Sequence, residues 1–373
     1  RLINIPSQIY INRQFINFPL SPLDLLKFLG LFSFFKESIK LFINKIKFRN
    51  TDAKNFKEYC FEKYGEYISN LFLISYSKKL WGENTENLSV KIAGKRLKGL
   101  NIKSFFLDFF NINSKNQSHL DGIFYYPKFG IGSIFDKINN VYGEKEVFLN
   151  STVTSIKHSQ NQIKSIMIND SEEKYVNHLV SSLPLDVFMK ILNPAPPKQI
   201  LEISKTIKYR NLILIVLFLD KPKVNNNGSM YFPSQEYLFT RIYEPKNRSE
   251  YMSPNGKTSL VIEIPCQNTD AIWKQDKEDI LNKILPQLLD IGFFNMEEII
   301  NSQMEKIKRA YPILDVDYDN RINPIFKYLS QFENLSINGR NGKYEYNHIH
   351  DHLIDGCLIV EKLKQTEFLE GKN

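Results

Sequence analysis

Cysteine is scarce in this 373-residue chain, which contains only Cys60, Cys266 and Cys357. The three lie far apart, form no C-x-x-C pair and fit no zinc-ligand spacing, so neither a disulfide scaffold nor a cysteine zinc site is predicted. Isolated thiols of this kind are typical of a reducing compartment. We therefore expect a cytoplasmic protein without a bound metal.

The chain also lacks a block of like charge. Its 49 Lys and Arg against 41 Asp and Glu leave a formal net charge of +8, and the basic residues are spread along the whole sequence. Nucleic-acid-binding surfaces gather basic residues into a stripe with aromatic residues between them. The sequence has no such stripe, and we predict no nucleic-acid partner.

Long apolar runs are missing as well. The most apolar stretch, Leu23–Phe48, has no uncharged run longer than Phe28 to Phe35, because lysines interrupt it throughout: Lys27, Lys36, Lys40, Lys45 and Lys47. A membrane-spanning helix needs about 20 mostly apolar residues, so we predict no transmembrane segment, and no signal peptide is recognisable. Two interpretations of this stretch stay open. It forms either a basic amphipathic helix on a membrane surface or, as we favour, a helix that buries one face in its own protein.

Local patterns divide the chain into predicted elements. The N-terminal residues predict a hairpin around Ile9–Phe18, and Pro22 opens a helical region that extends over residues 20–120. From Phe124 the sequence pattern changes to one typical of short strands and turns. The best candidate for an internal domain boundary is Asn193–Pro197. The predicted strands include a hairpin over 147–169, a short buried strand in HLVSSLPL (178–185), and strands at Leu212–Asp220, Ser259–Cys266 and Leu335–Ile337. A strand end, glycine turn and helix are predicted over 125–143, and a turn is predicted at Ala310–Leu314. Further helices are predicted at 276–291, near 325–329 and from about 351 to 363.

The C-terminal region carries the strongest chemical pattern. Gly339, Arg340 and Gly342 follow the predicted strand, and a helix is predicted to begin near Asp351. Glycine lets the backbone approach a ligand, arginine offers a planar fork of donors, and a helix N-terminus presents free N–H groups. Together they predict a binding site for a planar, anionic ligand. A tight turn with a solvent-facing arginine is the alternative interpretation.

Several segments, in one order, carry a resemblance to a known family. They are YSKKLWG (Tyr76–Gly82), YYPKFGIGSIFDKI, STVTSI, SSLPL, TRIYEPK, AYPIL and GRNGKYEYNHIHDHLIDG. These segments resemble the flavin-containing amine oxidoreductases, a superfamily that includes amine oxidases, protoporphyrinogen oxidase, phytoene desaturases and UDP-galactopyranose mutase. The resemblance covers nearly all of residues 1–363 and favours the mutase-like and protoporphyrinogen-oxidase-like branch.

The resemblance implies an α/β fold with two domains: a discontinuous, glutathione-reductase-like FAD-binding domain and a sheet-and-helix substrate domain. The implied parts are 1–120 (helical part of the substrate domain), 121–192 (FAD-binding), 193–324 (sheet part of the substrate domain), 325–363 (C-terminal FAD-binding segment) and 364–373 (tail). The family's strand–G-x-G-x-x-G–helix unit has no counterpart here, because Gly130 and Gly132 are followed by no third glycine. We therefore expect an N-terminally truncated flavoprotein.

The resemblance also implies individual roles, with FAD as the cofactor. The implied FAD-binding residues are Val153, Gly339, Arg340, Gly342, Asp351 and His352. The implied substrate-binding residues are Tyr76, Trp81 and Arg241, with Tyr243 and Lys246 as further positive or polar groups, and Tyr311 is the catalytic-site candidate. Core packing is the alternative for Trp81, and an exposed strand edge is the alternative for Arg241. A metal at His348, His350 and His352 would need these residues on a strand, and we prefer a role beside the flavin or in solvent.

The function implied is that of an FAD-dependent oxidoreductase. Hydride would pass from a C–N or C–C bond of a small-molecule substrate to flavin N5, with oxygen or another acceptor restoring the flavin. A cyclic amine and a nucleotide sugar are both candidate substrates. One alternative is a mutase-like isomerase acting on a nucleotide sugar, which YSKKLWG favours and PKFGIG disfavours. Another is a degenerate, non-catalytic flavoprotein.

Overall fold

The computed structural model describes residues 1–18, 22–47, 53–93, 124–142 and 147–370, with the side chains of 22, 23, 41–47 and 366–370 excepted. The predicted helical region over 94–120 therefore lies outside the described residues. The chain divides into two compact units. The first comprises Arg1–Glu144 and Arg210–Lys308, and the second comprises Lys145–Tyr209 and Arg309–Asn373.

The described residues form a mixed α/β structure. The strands are β1 (Leu2–Ile3), β2 (Ser7–Ile11), β3 (Gln14–Phe18), β4 (Phe124–Tyr125), β5 (Val153–Ser159), β6 (Gln162–Ile168), β7 (Glu172–Tyr175), β8 (Leu179–Ser181), β9 (Leu192–Asn193), β10 (Tyr209–Leu219), β11 (Ser229–Tyr231), β12 (Arg241–Tyr243), β13 (Thr258–Cys266), β14 (Ile299–Pro312) and β15 (Leu335–Ile337).

The α-helices are α1 (Pro22–Leu29), α2 (Leu31–Lys47), α3 (Phe56–Tyr64), α4 (Glu66–Ile68), α5 (Ser75–Trp81), α6 (Gly132–Tyr142), α7 (Leu185–Ile191), α8 (Lys198–Lys205), α9 (Ala271–Lys274), α10 (Lys277–Ile291), α11 (Tyr318–Leu329), α12 (Arg340–Lys343) and α13 (Ile349–Glu370). A π-helix covers Ser69–Ile74, and 3-10 turns lie at Val90–Ala93, Pro245–Asn247, Glu250–Met252 and Met296–Glu298. Among the described residues, no helix combines the length and the apolar composition needed to cross a lipid bilayer.

The first unit is built on a seven-stranded sheet in the order β14-β10-β13-β12-β11-β2-β3. It contains the long antiparallel pair β10–β13, in register from Asn211 opposite Cys266 to Leu219 opposite Thr258. Every residue of β13 is buried, including the polar Thr258, Ser259 and Glu263. Helix α10 packs its own apolar stripe, Ile280, Ile284 and Leu288, against the core formed by these strands.

Helix boundaries in the first unit follow capping chemistry. At α3, Asn55 Oδ1 accepts a hydrogen bond from Glu58 N at 2.9 Å. At α10, Asp276 Oδ1 accepts one from Asp279 N at 2.9 Å, and Gly292 ends the helix in the left-handed conformation. Both caps supply partners to backbone groups that the helix itself leaves unpaired.

The second unit contains two smaller sheets. Strands β7-β6-β5-β9 form one, in which the β5–β6 hairpin pairs Val153 with Ile168. Strands β15 and β8 form a short parallel pair, with Leu335 opposite Leu179 and Ile337 opposite Ser181. Helices α7, α8 and α11 cover a core of buried apolar side chains, among them Phe188, Met189, Ile322 and Ile325.

Most predicted elements are confirmed. These include both hairpins, the helix opened by Pro22, the strand–glycine turn–helix at 124–142, strands β10, β13 and β15, and helix α10. Three expectations are wrong. The AYPIL segment continues the unpredicted strand β14 to Pro312, the short strand β8 is not buried because Val180 is 50% exposed, and the last helix begins at Ile349 and reaches Glu370.

Candidate functional site

In the second unit, β15 leads directly into a turn that only glycine can make comfortably. Gly339 has φ 78° and ψ 151°, a backbone region that is almost closed to residues with a side chain. A Cβ at this position would lie 3.0 Å from the Cβ of Ser182. The turn is held by Asn338, whose backbone N–H donates to Ser181 O at 2.9 Å. The strand end is therefore pressed against the segment that follows β8.

Gly342 makes the second close approach of this segment. It is buried, and a Cβ there would lie 3.2 Å from Ile337 Cγ2 and 3.3 Å from Leu183 O. The neighbouring Asn341 side chain donates to Arg309 O at 2.7 Å, while its own Oδ1 is buried without a hydrogen-bond partner. The two predicted glycines thus do bring backbone segments into contact.

The Arg340 guanidinium is engaged by groups of the protein itself, whereas the sequence predicted that it would face a ligand or solvent. Its Nε and Nη2 donate to Asn347 O at 3.0 and 2.8 Å. Its guanidinium also lies 5.3 Å from the ring centroid of Tyr311 and 5.4 Å from that of Tyr346. Arg340 therefore holds the loop before α13 and stacks with two tyrosines, and its contact with a cofactor phosphate stays a prediction.

The N-terminus of α13 presents free donors, but not at the predicted residues. The backbone N–H groups of Asp351 and His352 both donate to His348 O, at 3.1 and 3.3 Å. Among the described residues, the amides of Ile349 and His350 have no acceptor. These two amides, two residues earlier than expected, are the ones that can meet an anionic group. The difference arises because the helix begins at Ile349.

The histidines of this segment do not share a strand face. His348 precedes the helix, and its N–H donates to Asp351 Oδ2 at 3.0 Å. The rings of His348 and His350 stack with centroids 5.8 Å apart. Burial lowers the pKa of His352, whose two ring nitrogens have no hydrogen-bond partner. No group of three potential metal ligands occurs in the described part of the chain.

A buried tyrosine that sequence reasoning missed anchors this loop. Tyr344 adopts a left-handed conformation with φ 54°, and its side chain is buried. Its hydroxyl lies 2.7 Å from Lys208 O and 2.9 Å from Ile313 O. Burial raises the pKa of Tyr344, so its hydroxyl stays protonated. Only its position four residues after Arg340 distinguished it in the sequence.

In the first unit, YSKKLWG forms α5, and its second lysine is its best-connected residue. Lys79 Nζ donates to Phe232 O at 3.0 Å, Ser234 O at 2.8 Å and Phe239 O at 2.6 Å. Burial lowers the pKa of Lys79 to about 7. This lysine fastens the helix to the loop between β11 and β12.

The glycine of the same motif is required by an arginine. Gly82 ends α5 with φ 68°, and a Cβ there would lie 2.5 Å from Arg210 Nη1. Arg210 Nε donates to Leu80 O at 2.9 Å, and its Nη2 donates to Lys79 O at 3.2 Å. A guanidinium thus caps the negative end of α5 at a place that a side chain at residue 82 would fill. Arg210 was not predicted from the sequence.

The predicted substrate residues of α5 have unequal surroundings. Trp81 is 3% exposed, so its side chain belongs to the interior of this unit. Tyr76 is half-buried, and its ring packs on those of Phe72 and Tyr231, each with centroids 5.6 Å apart. The π-helix that carries Phe72 precedes α5, and such wide turns occur frequently at functional sites. Tyr76 is the better placed of the two predicted residues.

Two of the predicted basic residues of the first unit, Arg241 and Lys246, already have partners within the protein. Arg241 forms a bidentate ion pair with Glu263, at 2.9 and 2.5 Å, so its predicted positive charge is largely compensated. Burial opposes its charge, but Glu263 more than offsets this effect and holds its pKa above the ordinary value. Lys246 is engaged too, because its Nζ donates to the carbonyls of Pro222 and Lys257.

Arg248, unlike Arg241, has no carboxylate partner among the described residues. Its Nη2 donates to Gly228 O at 3.0 Å, and its guanidinium lies 4.8 Å from the Tyr243 ring centroid. Burial, and then the nearby Arg241, lower the pKa of Arg248, whereas burial and Glu263 raise that of Tyr243. An unpaired guanidinium beside tyrosines is suited to an anionic group.

Val153 and Tyr311 complete the predicted set. Val153 is half-buried at the start of β5, and Tyr311 lies near the end of β14 against the Tyr346 ring, with centroids 5.9 Å apart. The roles given to all these residues stay predictions.

Comparison with known proteins places the chain in a family. The family model described as flavin-containing amine oxidoreductase matches residues 29–306, about three quarters of the chain. The chain belongs to this family. By sequence, it has no significant match among curated proteins.

Solved structures agree on the fold. A crystal structure of reduced UDP-galactopyranose mutase has a TM-score of 0.76 at 16% identity, covering 93% of this chain and 73% of that chain. A protein from Exiguobacterium sp. 255-15 assigned as a protoporphyrinogen oxidase has 0.66 at 12%, covering 91% and 76%. An engineered triple variant of putrescine oxidase has 0.59 at 11%, covering 91% and 77%. The chain thus has the α/β fold of FAD-dependent oxidoreductases.

FAD is the cofactor of this family, and the second unit fits it in part. Gly339 and Gly342 let this turn pack closely on Ser182 and Ile337, and the unbonded amides of Ile349 and His350 provide donors for an anionic group. The sequence contains no G-x-G-x-x-G that would hold the pyrophosphate.

Proposed function

We propose that the chain is an FAD-dependent oxidoreductase that removes a hydride from a C–N or C–C bond of a small-molecule substrate. The observation that carries this proposal is the family match over residues 29–306. Bound FAD supplies the hydride acceptor, and the protein supplies binding and orientation. Residues 121–192 and 325–363 are proposed to bind FAD, and residues 1–120 and 193–324 to bind the substrate.

Within the second unit, backbone groups do most of the proposed cofactor binding. Gly339 and Gly342, which keep the turn packed on the segment after β8, are proposed to place their backbone beside the cofactor. The amides of Ile349 and His350 donate to a negatively charged edge, and Val153 contributes backbone from β5. Arg340 acts mainly by fixing the loop that leads to α13, because its donors are engaged by Asn347 O. Tyr311, stacked with Arg340, is the catalytic-site candidate.

Within the first unit, an aromatic and cationic surface is proposed to bind the substrate. Tyr76 offers a half-buried ring that packs on the buried Tyr231, Glu263 holds Arg241 in place, and Arg248 offers the uncompensated charge. Aromatic rings suit an apolar or planar part of a substrate, and a guanidinium suits a carboxylate or phosphate. A substrate with both parts fits this surface best.

The test uses the full chain saturated with FAD, without oxygen. We expect at least one amine or saturated-ring compound to bleach the oxidised flavin band. For an anionic substrate, Arg248→Met should raise KM about tenfold or more with little change in kcat. The lost contact would stabilise the bound substrate and the transition state equally. Arg13→Met, at an exposed arginine of the same unit, should leave both values unchanged.

UDP-galactopyranose mutase activity is the second candidate, favoured by YSKKLWG. The same protein, reduced with dithionite and incubated with UDP-galactopyranose, distinguishes the two. Ring-contracted product without bleaching by any donor would replace the oxidoreductase proposal. The absence of both the product and the bleaching would indicate a flavoprotein that has lost catalysis.

A further inference from the structure

Helix α2 exposes a row of large apolar side chains. Over the residues whose side chains are described, Phe32 is 84% exposed, Leu31 68%, Ile39 60% and Phe35 58%. The opposite side of the helix is the one that packs, because Phe34 is buried. A soluble surface rarely gathers four such side chains in one place, and exposed apolar patches of this kind mark interaction sites.

The exposed side chains follow the helix in two adjacent rows. Leu31, Phe35 and Ile39 lie four residues apart and form an apolar row. Phe32, Lys36 and Lys40 form the next row, which begins apolar and continues basic. Lys36 and Lys40 are both exposed, so the apolar face is bordered along one flank by ammonium groups.

The charge of this region is predominantly positive. Helix α2 contains four lysines, Lys36, Lys40, Lys45 and Lys47, and one acidic residue. That residue, Glu37, is half-buried and pairs with Lys40 at 2.8 Å. Lys36 has no ion-pair partner among the described residues, and α1 adds the exposed Lys27. The face therefore offers apolar side chains and uncompensated positive charge side by side.

We propose that α2 binds the surface of an anionic lipid bilayer, with Leu31, Phe32, Phe35 and Ile39 at the headgroup–acyl boundary and Lys36 and Lys40 among the headgroups. A 17-residue helix is about 25 Å long, enough to lie flat on a bilayer with its apolar side inserted. This inference does not depend on the reaction that the protein catalyses.

The composition of the face favours a lipid surface over a protein partner. Protein interfaces are enriched in aromatic residues and Arg and depleted in Lys. Helix α2 shares the Phe residues of such interfaces, but it has no Tyr, Trp or Arg and has four lysines. Lysine beside Phe and Leu is typical of helices that lie in a membrane interface. A juxtaposed lysine strengthens binding to an anionic surface roughly fivefold.

Sedimentation of the full chain with lipid vesicles tests the proposal. One set of vesicles is phosphatidylcholine alone, and the other is phosphatidylcholine mixed with phosphatidylglycerol. We expect binding to the mixed vesicles that weakens as salt is raised, and little binding to the neutral ones. Phe32→Ser with Phe35→Ser, and separately Lys36→Glu with Lys40→Glu, should each weaken binding about tenfold or more.

Matched controls change equally exposed residues of the second unit. Leu149→Ser with Tyr175→Ser removes two exposed apolar side chains, and Lys190→Glu with Lys198→Glu makes the same change in net charge. Both controls should bind as the parent does. Absence of binding to the anionic vesicles, or equal loss in the controls, would overturn the proposal. So would a dimer in sedimentation equilibrium that the Phe32 and Phe35 changes dissociate while vesicle binding persists, because the face would then serve a second copy.

Discussion

Single residues of the YSKKLWG segment show why a motif need not be a site. Lys79 directs its ammonium group at three backbone carbonyls, and Gly82 leaves room for the Arg210 guanidinium. Trp81, the most conspicuous residue of the motif, is an interior side chain. The residue types at 79 and 82 are therefore explained by how α5 is fastened within its unit, before any substrate is considered.

Replacing Lys79 tests this structural role. Lys79→Met would leave the carbonyls of Phe232, Ser234 and Phe239 without their shared donor. We expect the free energy of unfolding to fall by about 2 kcal/mol at pH 8, since unsatisfied buried acceptors cost roughly 1–3 kcal/mol. Urea denaturation measures it. Lys78→Met, at the exposed neighbour on the same helix, is the control and should change stability by less than about 0.5 kcal/mol.

The pH dependence of that difference has a definite sign. Burial lowers the pKa of Lys79 in the folded state to about 7, from its ordinary value of 10.5. Between these values the unfolded chain binds the additional proton, so the unfolding free energy of the parent rises with pH relative to Lys79→Met. The gap should therefore widen from pH 7 to pH 9. A gap that stays constant would mean that the three carbonyls keep Lys79 protonated throughout.

At the scale of elements, local sequence signals predicted those helices, strands and turns whose local preference agrees with the tertiary packing. The hairpins, α10 and the β15–glycine turn follow from alternation, capping and turn residues, and these signals lie within a few residues of one another. Strand β14 was missed because its sequence, IINSQMEKIKRAYP, mixes charged residues into an edge strand of the seven-stranded sheet. Edge strands commonly carry lysines that discourage pairing with another chain, and this weakens the apolar pattern.

The candidate site shows the same limit. Sequence reasoning singled out Gly339, Arg340 and Gly342, because glycine and arginine near a strand end have local meanings, and their roles toward a cofactor stay predictions. It placed the free amides two residues too late, since the start of α13 depends on how Asp351 bonds to the His348 amide. It missed Tyr344, Arg210 and Arg248, whose roles depend on carbonyls and rings distant in sequence.

The turn between β15 and α12 can be tested through its glycine. Gly339→Ala would force a side chain into a conformation with φ 78° and within 3.0 Å of Ser182 Cβ. We expect a loss of about 1–3 kcal/mol in the free energy of unfolding, the usual range for such backbone strain. Thermal or urea denaturation measures it.

Gly356→Ala is the matched control within the same segment. A Cβ at residue 356 meets no atom within 4 Å, and the residue lies inside α13, so alanine should stabilise the helix by roughly 0.5–1 kcal/mol. The two substitutions should thus act in opposite directions. Equal tolerance of alanine at both positions would contradict the account of the turn.

At the scale of the whole molecule, the chain carries only some of the groups that hold a dinucleotide. The Gly339 turn and the amides at the start of α13 suit one anionic part of FAD, whereas no G-x-G-x-x-G is present in the 373 residues to hold the pyrophosphate. A pyrophosphate without a helix N-terminus loses the backbone donors that usually offset its desolvation. The affinity for FAD is therefore expected to come mainly from the flavin and ribityl side.

We accordingly expect residues 1–373 to bind FAD with a Kd in the micromolar range or weaker, about −8 kcal/mol at best. Quenching of flavin fluorescence in a titration with the protein measures the Kd. FMN is the matched probe, because it keeps the flavin, the ribityl chain and one phosphate but lacks the adenylate. If the chain contacts mainly that side, FMN and FAD should bind within a fewfold of each other. Nanomolar FAD binding together with much weaker FMN binding would contradict the expectation, because the adenylate and pyrophosphate would then have to be held by residues of this chain that we assign to substrate binding or to the core.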